Sequence, residues 1–232
     1  MRVHTVGSLL LCSLTSVTIF AQGFDPALMR EASAVREELA RSTAALRHYT
    51  WTEHTEVTMK GELRASSDTS CRYDASGQVT KTPIGKGTAE ERASAISKRP
   101  IVRSKADDQD YIERAVSVIQ DYMPPKPEIL QRLLQNGEAV RGSTETGKSE
   151  IRFKDYFKRG DTIIFTYDPR TRMLVRVTAV TYMATPKDPV TLEAEFETLP
   201  EGINHLASTT LNANKKKVHV KTRNDNYQKM AQ

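Results

Sequence analysis

Residues 149–223 place their apolar side chains two apart. Val190, Leu192, Ala194 and Phe196 alternate with Thr191, Glu193, Glu195 and Glu197, so an extended chain here has one apolar face and one carboxylate-bearing face. The same beat runs through Ile163-Phe165-Tyr167, Met173-Val175-Val177-Ala179, Ala207-Thr209-Leu211 and Val218-Val220-Thr222. Period two is the signature of half-buried strands, whose side chains point to opposite faces in turn. Turn chemistry divides the runs at Arg159-Gly160-Asp161, Asp168-Pro169-Arg170-Thr171, Pro186-Lys187-Asp188-Pro189, Pro200-Glu201-Gly202 and Asn212-Ala213-Asn214. Connections this short cannot carry a parallel crossover, so the strands form an antiparallel meander. Its apolar faces then need a common cover.

The first half of the chain supplies that cover. Asp25-Pro26 is a helix start, a capping carboxylate followed by proline in the first turn. Leu28, Ala32, Val35, Leu39 and Leu46 follow at helical spacing, to about His48. Tyr49, Trp51, Val57 and Met59 share a strand parity, and Lys60-Gly61 turns the chain into Leu63-Ala65-Ser67-Thr69-Cys71-Tyr73. A turn at Asp74-Ala75-Ser76-Gly77 leads to a short return strand over 78–83. Residues 84–105 show no period and read as a mobile connector. A second helix over 107–123 carries Tyr111, Ala115, Val118 and Tyr122 in one stripe, and Pro124-Pro125 stops it. A third starts at Pro127, carries Ile129, Leu130, Leu133 and Leu134, and ends at Asn136-Gly137. The polar stretch 224–232 is expected to fray.

Arg2 and an apolar run over 6–20, with Ala21 after it, have the layout of a secretory signal peptide. Leu9-Leu10-Leu11-Cys12 offers a lipidation box as a weaker rival, because hydrophobicity continues past the cysteine. A cut after Ala21 leaves residues 22–232, a length that suits one domain with a substantial core. It also takes the net charge from +5 to +4, a mild basic excess far from a nucleic-acid signature. Cys71 then stands alone, which excludes an intrachain disulfide and a cysteine metal site, and its strand parity makes it a buried small residue.

Motifs for chemistry are sparse. The stretch 142–149, Gly-Ser-Thr-Glu-Thr-Gly-Lys-Ser, matches a phosphate-binding loop letter for letter. It leads into Ile151-Arg152-Phe153-Lys154, which alternates as a strand does, where a nucleotide site needs a helix. The reading is a glycine-rich hairpin turn, without nucleotide. His48, His54, His205 and His219 lack metal-ligand spacing and read as surface or incidental residues. No nucleophile elbow occurs, and Glu193 and Glu195 read as solubilising charges on an outer face. Hence no enzyme, cofactor or metal is expected. Lys215-Lys216-Lys217 occupies a turn, and its functional alternative is contact with an anionic membrane surface.

The collective expectation is an α+β fold: a curved antiparallel sheet, a half-barrel of roughly nine or ten strands, wrapped around two or three helices. Trp51, Met59, Phe153, Phe165, Val177, Leu192 and Phe196 would line its concave apolar face. A hollow left between sheet and helices would take an apolar ligand, whereas a filled one would be a plain core. In the order of these elements, and in Tyr49-Thr50-Trp51-Thr52 and Met59-Lys60-Gly61-Glu62, the chain resembles the LolA/LppX-like half-barrel superfamily of periplasmic lipoprotein carriers and lipid-binding proteins. Phe153-Lys154-Asp155-Tyr156, Pro186-Lys187-Asp188, Leu199-Pro200-Glu201-Gly202 and Asn226-Tyr227-Gln228-Lys229 resemble an uncharacterised group of exported bacterial proteins. That resemblance implies a periplasmic or extracellular, non-enzymatic protein holding a lipid or acyl chain, with a lipid or acylated protein as partner. The alternative is an envelope protein–protein binding module with a solid core.

Overall fold

The computed structural model describes residues 25–85 and 106–230. The expected signal peptide, and all of the expected connector except Ile84 and Gly85, lie outside the described residues. Three helices and ten strands are described: α1 (Pro26–Leu46), β1 (Tyr49–Met59), β2 (Glu62–Tyr73), β3 (Val79–Pro83), α2 (Ala106–Tyr122), α3 (Pro127–Gln135), β4 (Ala139–Ser143), β5 (Ser149–Lys154), β6 (Thr162–Tyr167), β7 (Leu174–Tyr182), β8 (Pro189–Thr198), β9 (Asn204–Ala213) and β10 (Val218–Lys229). Asp25 caps α1 through its carboxylate, which accepts from the Ala27 and Leu28 amides. A single 3-10 turn, Asn214–Lys216, joins β9 to β10.

All ten strands form one open antiparallel sheet in the order β3-β2-β1-β10-β9-β8-β7-β6-β5-β4. The fold class is therefore the expected α+β arrangement. Seven consecutive strands make the meander, and the last of them pairs with β1, so the first hairpin extends the sheet beyond β10. Over 224–229 the expectation of fraying is overturned by this pairing, and residues 231–232 lie outside the described residues. Strand β10 runs to Lys229, opposite Tyr49, because backbone hydrogen bonding to β1 holds a segment whose side chains give no apolar signal.

Register turns the sequence alternation into rows across the sheet. One row reads Phe153, Ile163, Ala179, Leu192, Leu211, Val220 and Val57, each opposite the next on the neighbouring strand. All seven are buried. The adjacent row reads Ile151, Phe165, Val177, Ala194, Thr209, Thr222, Thr55 and Ser67, apolar at the β5 side and hydroxylated toward β2. Directly opposed side chains on one face are the unit of sheet stabilisation, at roughly 0.2–1 kcal/mol per pair beyond burial.

Four register shifts interrupt the pairing: one falls at Trp51, between Thr50 and Thr52 against β10, and the other three correct the simple parity. At Thr166/Tyr167 the shift brings Leu174 opposite Tyr167, so Leu174 is buried while Met173 and Val175 are half-exposed. At Glu195/Phe196 it leaves Phe196 half-exposed, opposite Leu206. At Val57/Thr58 it sends Leu63 outward at 61% exposure, although its sequence parity matches that of buried Cys71. An extra residue in one strand re-aims everything beyond it, which alternation alone cannot register.

The helices share one face of the sheet. Leu28 and Val35 of α1, Tyr111, Ala115, Val118 and Tyr122 of α2, and Leu133 of α3 join residues of β1 and β5–β10 in a single hydrophobic cluster. Phe165, Val177 and Phe196, on three different strands, all face it.

Candidate functional site

The face between sheet and helices is defined by where the helices are fastened. Helix α2 lies at the end of the sheet that carries the β5–β6, β7–β8 and β9–β10 turns. Its stripe begins and ends on a tyrosine whose hydroxyl reaches a buried carboxylate. Tyr111 donates to Asp188 at 2.7 Å, in the turn after β7, and Tyr122 donates to Asp161 at 2.5 Å, in the loop before β6. The Tyr122 hydroxyl also hydrogen-bonds the Thr181 hydroxyl at 2.8 Å. Asp161 further accepts the Phe157 and Lys158 amides, closing its own loop. Both tyrosine hydroxyls titrate well above the usual tyrosine range, first because burial disfavours the phenolate and then because a carboxylate faces them.

Helix α1 is fastened at the opposite end. Glu31 accepts from the Tyr167 hydroxyl at 2.8 Å and pairs with Arg141 of β4. Burial, with Glu31 beside it, pushes the Tyr167 hydroxyl up to about 12. About three turns further on, the Ser42 hydroxyl accepts the buried Asn204 amide at 3.1 Å, where β9 begins. Lys126, just ahead of α3, donates its amide to the Tyr156 hydroxyl at 2.6 Å. Helices α1 and α2 thus carry apolar stripes over the sheet and polar fastenings toward both ends, and α3 is tied at its start.

Of the seven residues expected on the concave face, the structure brings six together. Met59, Phe153, Phe165, Val177 and Leu192 belong to the main cluster, and half-buried Phe196 packs against it. The Phe153 and Phe165 rings meet edge to face with centroids 5.8 Å apart. Trp51 is also buried but sits elsewhere, in an aromatic group with Tyr73 and Tyr227. That group fills a fork in the sheet. Pairing of β9 with β10 ends at Ser208 and Arg223, after which β9 continues along β8 and β10 continues along β1. The Leu206 carbonyl left in the fork accepts from the Asn224 side-chain amide at 3.2 Å and from the Tyr227 hydroxyl at 3.1 Å.

His205 corrects the surface reading of the histidines. It is buried, its ring lies 4.3 Å from that of Tyr227, and desolvation lowers its pKa, so it is neutral near pH 7. His54 is also more than incidental: it stands on the outer face between Asp68, 2.7 Å from Nδ1, and Asp225, 3.2 Å from Nε2. His219 is exposed as expected, beside Asn212.

Residues 142–149 form the hairpin turn between β4 and β5, where Lys148 pairs with Asp168 at 2.6 Å and pulls that carboxyl down to about 2. Cys71 is fully buried, and desolvation raises its thiol to about 11, outside the reactive range. Among the described residues no group of three or more His, Cys, Asp or Glu is placed to hold a metal ion, and no helix is long and apolar enough to cross a membrane. Against the outer flank of α1 lies an open depression of about 460 Å³, lined by Met29, Arg30, Ser33, Ala34, Glu37 and Arg172.

Asp161 and Asp188 escaped the sequence reading. Each stood inside a turn signal, where aspartate is ordinarily exposed, and the hint was the pair of tyrosines at the two ends of one helical stripe.

No family model and no curated protein matches this chain. Among solved structures, it is similar to a DUF1329 family protein from Desulfovibrio piger at 13% identity and a TM-score of 0.43, over 88% of this chain and 93% of that one. It is also similar to a LolA superfamily protein from Nitrosomonas europaea at 6% identity and a TM-score of 0.41, over 85% of this chain and 94% of that one.

Proposed function

We propose that this is an exported, non-enzymatic protein that holds an apolar ligand, a lipid or acyl chain, between the sheet and its helices. The observation that supports the reading is the seven-residue apolar row from Phe153 to Val57, covered by helices fastened through polar contacts near their ends. Moving an element so fastened off the sheet breaks a few hydrogen bonds and exposes its apolar stripe, a cost that an acyl chain filling the same face would offset. The ligand would gain about 0.8 kcal/mol for each methylene taken from water. Met59, Phe153, Phe165, Val177, Leu192 and Phe196 would contact the chain, and Trp51 would lie at the margin. The signal-like first residues would direct such a protein to the periplasm or outside the cell, where an acylated protein or lipid would be its partner.

Native mass spectrometry and organic extraction of the purified protein test this. A co-purifying lipid, or a fluorescent fatty acid that binds after delipidation and is excluded by Leu192→Trp, is the expected result. If neither is seen, the ligand reading falls.

One observation favours a second reading, an envelope binding module with a solid core. Leu63, Val79 and Ile84 stand 61%, 41% and 50% exposed on and just beyond β2 and β3, and β3 is an edge of the sheet. Exposed apolar residues beside an edge strand suit strand addition by a partner protein. A stoichiometric protein recovered in a pull-down, without lipid, would favour it.

A further inference from the structure

The two ends of the sheet differ in charge. The turns β1–β2 (60–61), β5–β6 (155–161), β7–β8 (183–188) and β9–β10 (214–217) crowd one end, which also holds α2. They carry Lys60, Lys158, Arg159, Lys187, Lys215, Lys216 and Lys217, seven cations against three aspartates. Two of the three, Asp161 and Asp188, are buried on tyrosine hydroxyls, so only Asp155 faces water. At the other end, the turns 74–78, 144–148, 168–173 and 199–203 carry three cations against four carboxylates. The asymmetry is invisible in the overall charge of +5.

The basic turns are regularly spaced. They recur every two strands, so each is about 10 Å from the next and the row spans about 29 Å. That spacing is comparable to the screening length of physiological salt, which lets neighbouring cations act together on an extended anionic surface. Phe157 stands out of the same end, 44% exposed, with Lys158 and Arg159 following it and the Lys126 ammonium 4.8 Å from its ring centroid. Among the cations, Lys216 is occupied by Asp108 at 2.9 Å and Lys158 by the Tyr182 and Met183 carbonyls. Lys60, Arg159, Lys187, Lys215 and Lys217 are exposed, and Lys215 is 4.0 Å from Asp188. The acidic start of α2 flanks the β9–β10 turn, where Asp108 takes Lys216, Asp110 takes Arg114, and Asp107 is exposed.

From this placement we propose that the end of the sheet formed by these four turns is a docking surface for an anionic lipid bilayer, with Phe157 entering the headgroup layer and the lysines lying along it. A line of exposed lysines with one protruding aromatic matches a flat, negatively charged, partly apolar surface. An acidic polypeptide would satisfy the charges and leave Phe157 in water. The end used is the one where α2 is held by Tyr111 and Tyr122, but docking does not depend on the ligand reading.

The test is co-sedimentation with vesicles of phosphatidylcholine alone and of phosphatidylcholine with phosphatidylglycerol. Binding is expected only to the anionic vesicles and is lost at high salt. Lysine near such a surface is worth about fivefold in partitioning, so Lys215→Gln/Lys217→Gln should weaken binding about 25-fold. Arg170→Gln/Arg172→Gln removes the same charge from the opposite end, also with one residue at positive φ, and should leave binding unchanged. Phe157→Ser, which removes no charge, should weaken binding to the anionic vesicles at low salt. Circular dichroism melting of each variant separates lost binding from lost folding. Absence of binding to anionic vesicles, equal loss in both double variants, or equally strong salt-sensitive capture of polyglutamate would each overturn the proposal.

Discussion

At the scale of single residues, the buried polar groups decide more than their number suggests. Tyr122→Phe keeps the ring and removes the hydroxyl that donates to Asp161, leaving a buried carboxylate with only backbone donors. A loss of about 1–3 kcal/mol is expected from chemical denaturation, the range for a buried group deprived of its partner. Tyr122→Phe in an Asp161→Asn background should cost less, since a neutral amide tolerates the loss better than a carboxylate. His54 gives a pH dependence of opposite origin. The hydrogen bond to Asp68 raises its pKa in the folded state, with Asp225 adding to the effect. A raised folded pKa means that the stabilisation is complete below the unfolded value, near 6.5, and disappears as pH climbs through the folded value. Melting temperature should therefore fall between about pH 6 and pH 8 by more in the native chain than in His54→Gln, and parallel curves would show that the His54 bridges contribute nothing. His205 has the reverse sign, its folded pKa being lowered by burial, so it opposes stability only as pH drops through the unfolded value.

At the scale of elements, alternation and helical stripes were enough to place three helices and the sheet in their order, because burial on one face requires those periods. The rows Phe153–Val57 and Ile151–Ser67 are that requirement met strand after strand. What sequence could not supply was where the period slips. Leu63, Leu174 and Phe196 lie at or just beyond register shifts, and a shift is set by backbone pairing with the next strand of the hairpin, which the alternation within one strand does not record. The same reasoning explains why Trp51 parts from the other six residues of the proposed face. A register shift against β10 falls at Trp51 itself, between Thr50 and Thr52, and β9 and β10 diverge beside it, a fork filled by Tyr227 from a tail with no apolar pattern. Within the meander, Leu192 is the central test of the row. Leu192→Ala should cost about 2–5 kcal/mol if the space between sheet and helices is closely packed, and less where a pre-existing hollow already borders the side chain. Measured by denaturant unfolding beside Val190→Ala, this distinguishes a packed interior from a lined one.

At the scale of the whole molecule, the first hairpin is attached to the meander by one long-range pairing, β1 with β10, made between the two ends of the described chain. That pairing must form late, since it closes the largest loop in the fold. Its last part, from Asp225 to Lys229, supplies both the backbone partners of 49–52 and the Tyr227 ring that stacks on Trp51 with centroids 5.6 Å apart. Trp51 is the single tryptophan of the chain, so its fluorescence reads this junction alone. A chain ending at Asn224 should keep the seven-strand meander and the helices over it, with far-UV circular dichroism little changed. Its tryptophan emission should shift to the red and become accessible to iodide, because the indole loses Tyr227 and the closing segment of β10. Limited proteolysis should then cut between β1 and β3 before the meander is touched. If the truncated chain instead unfolds as a whole, the hairpin and the meander are one cooperative unit, coupled through the remaining β1–β10 pairs from Glu53–Asn224 to Met59–Val218.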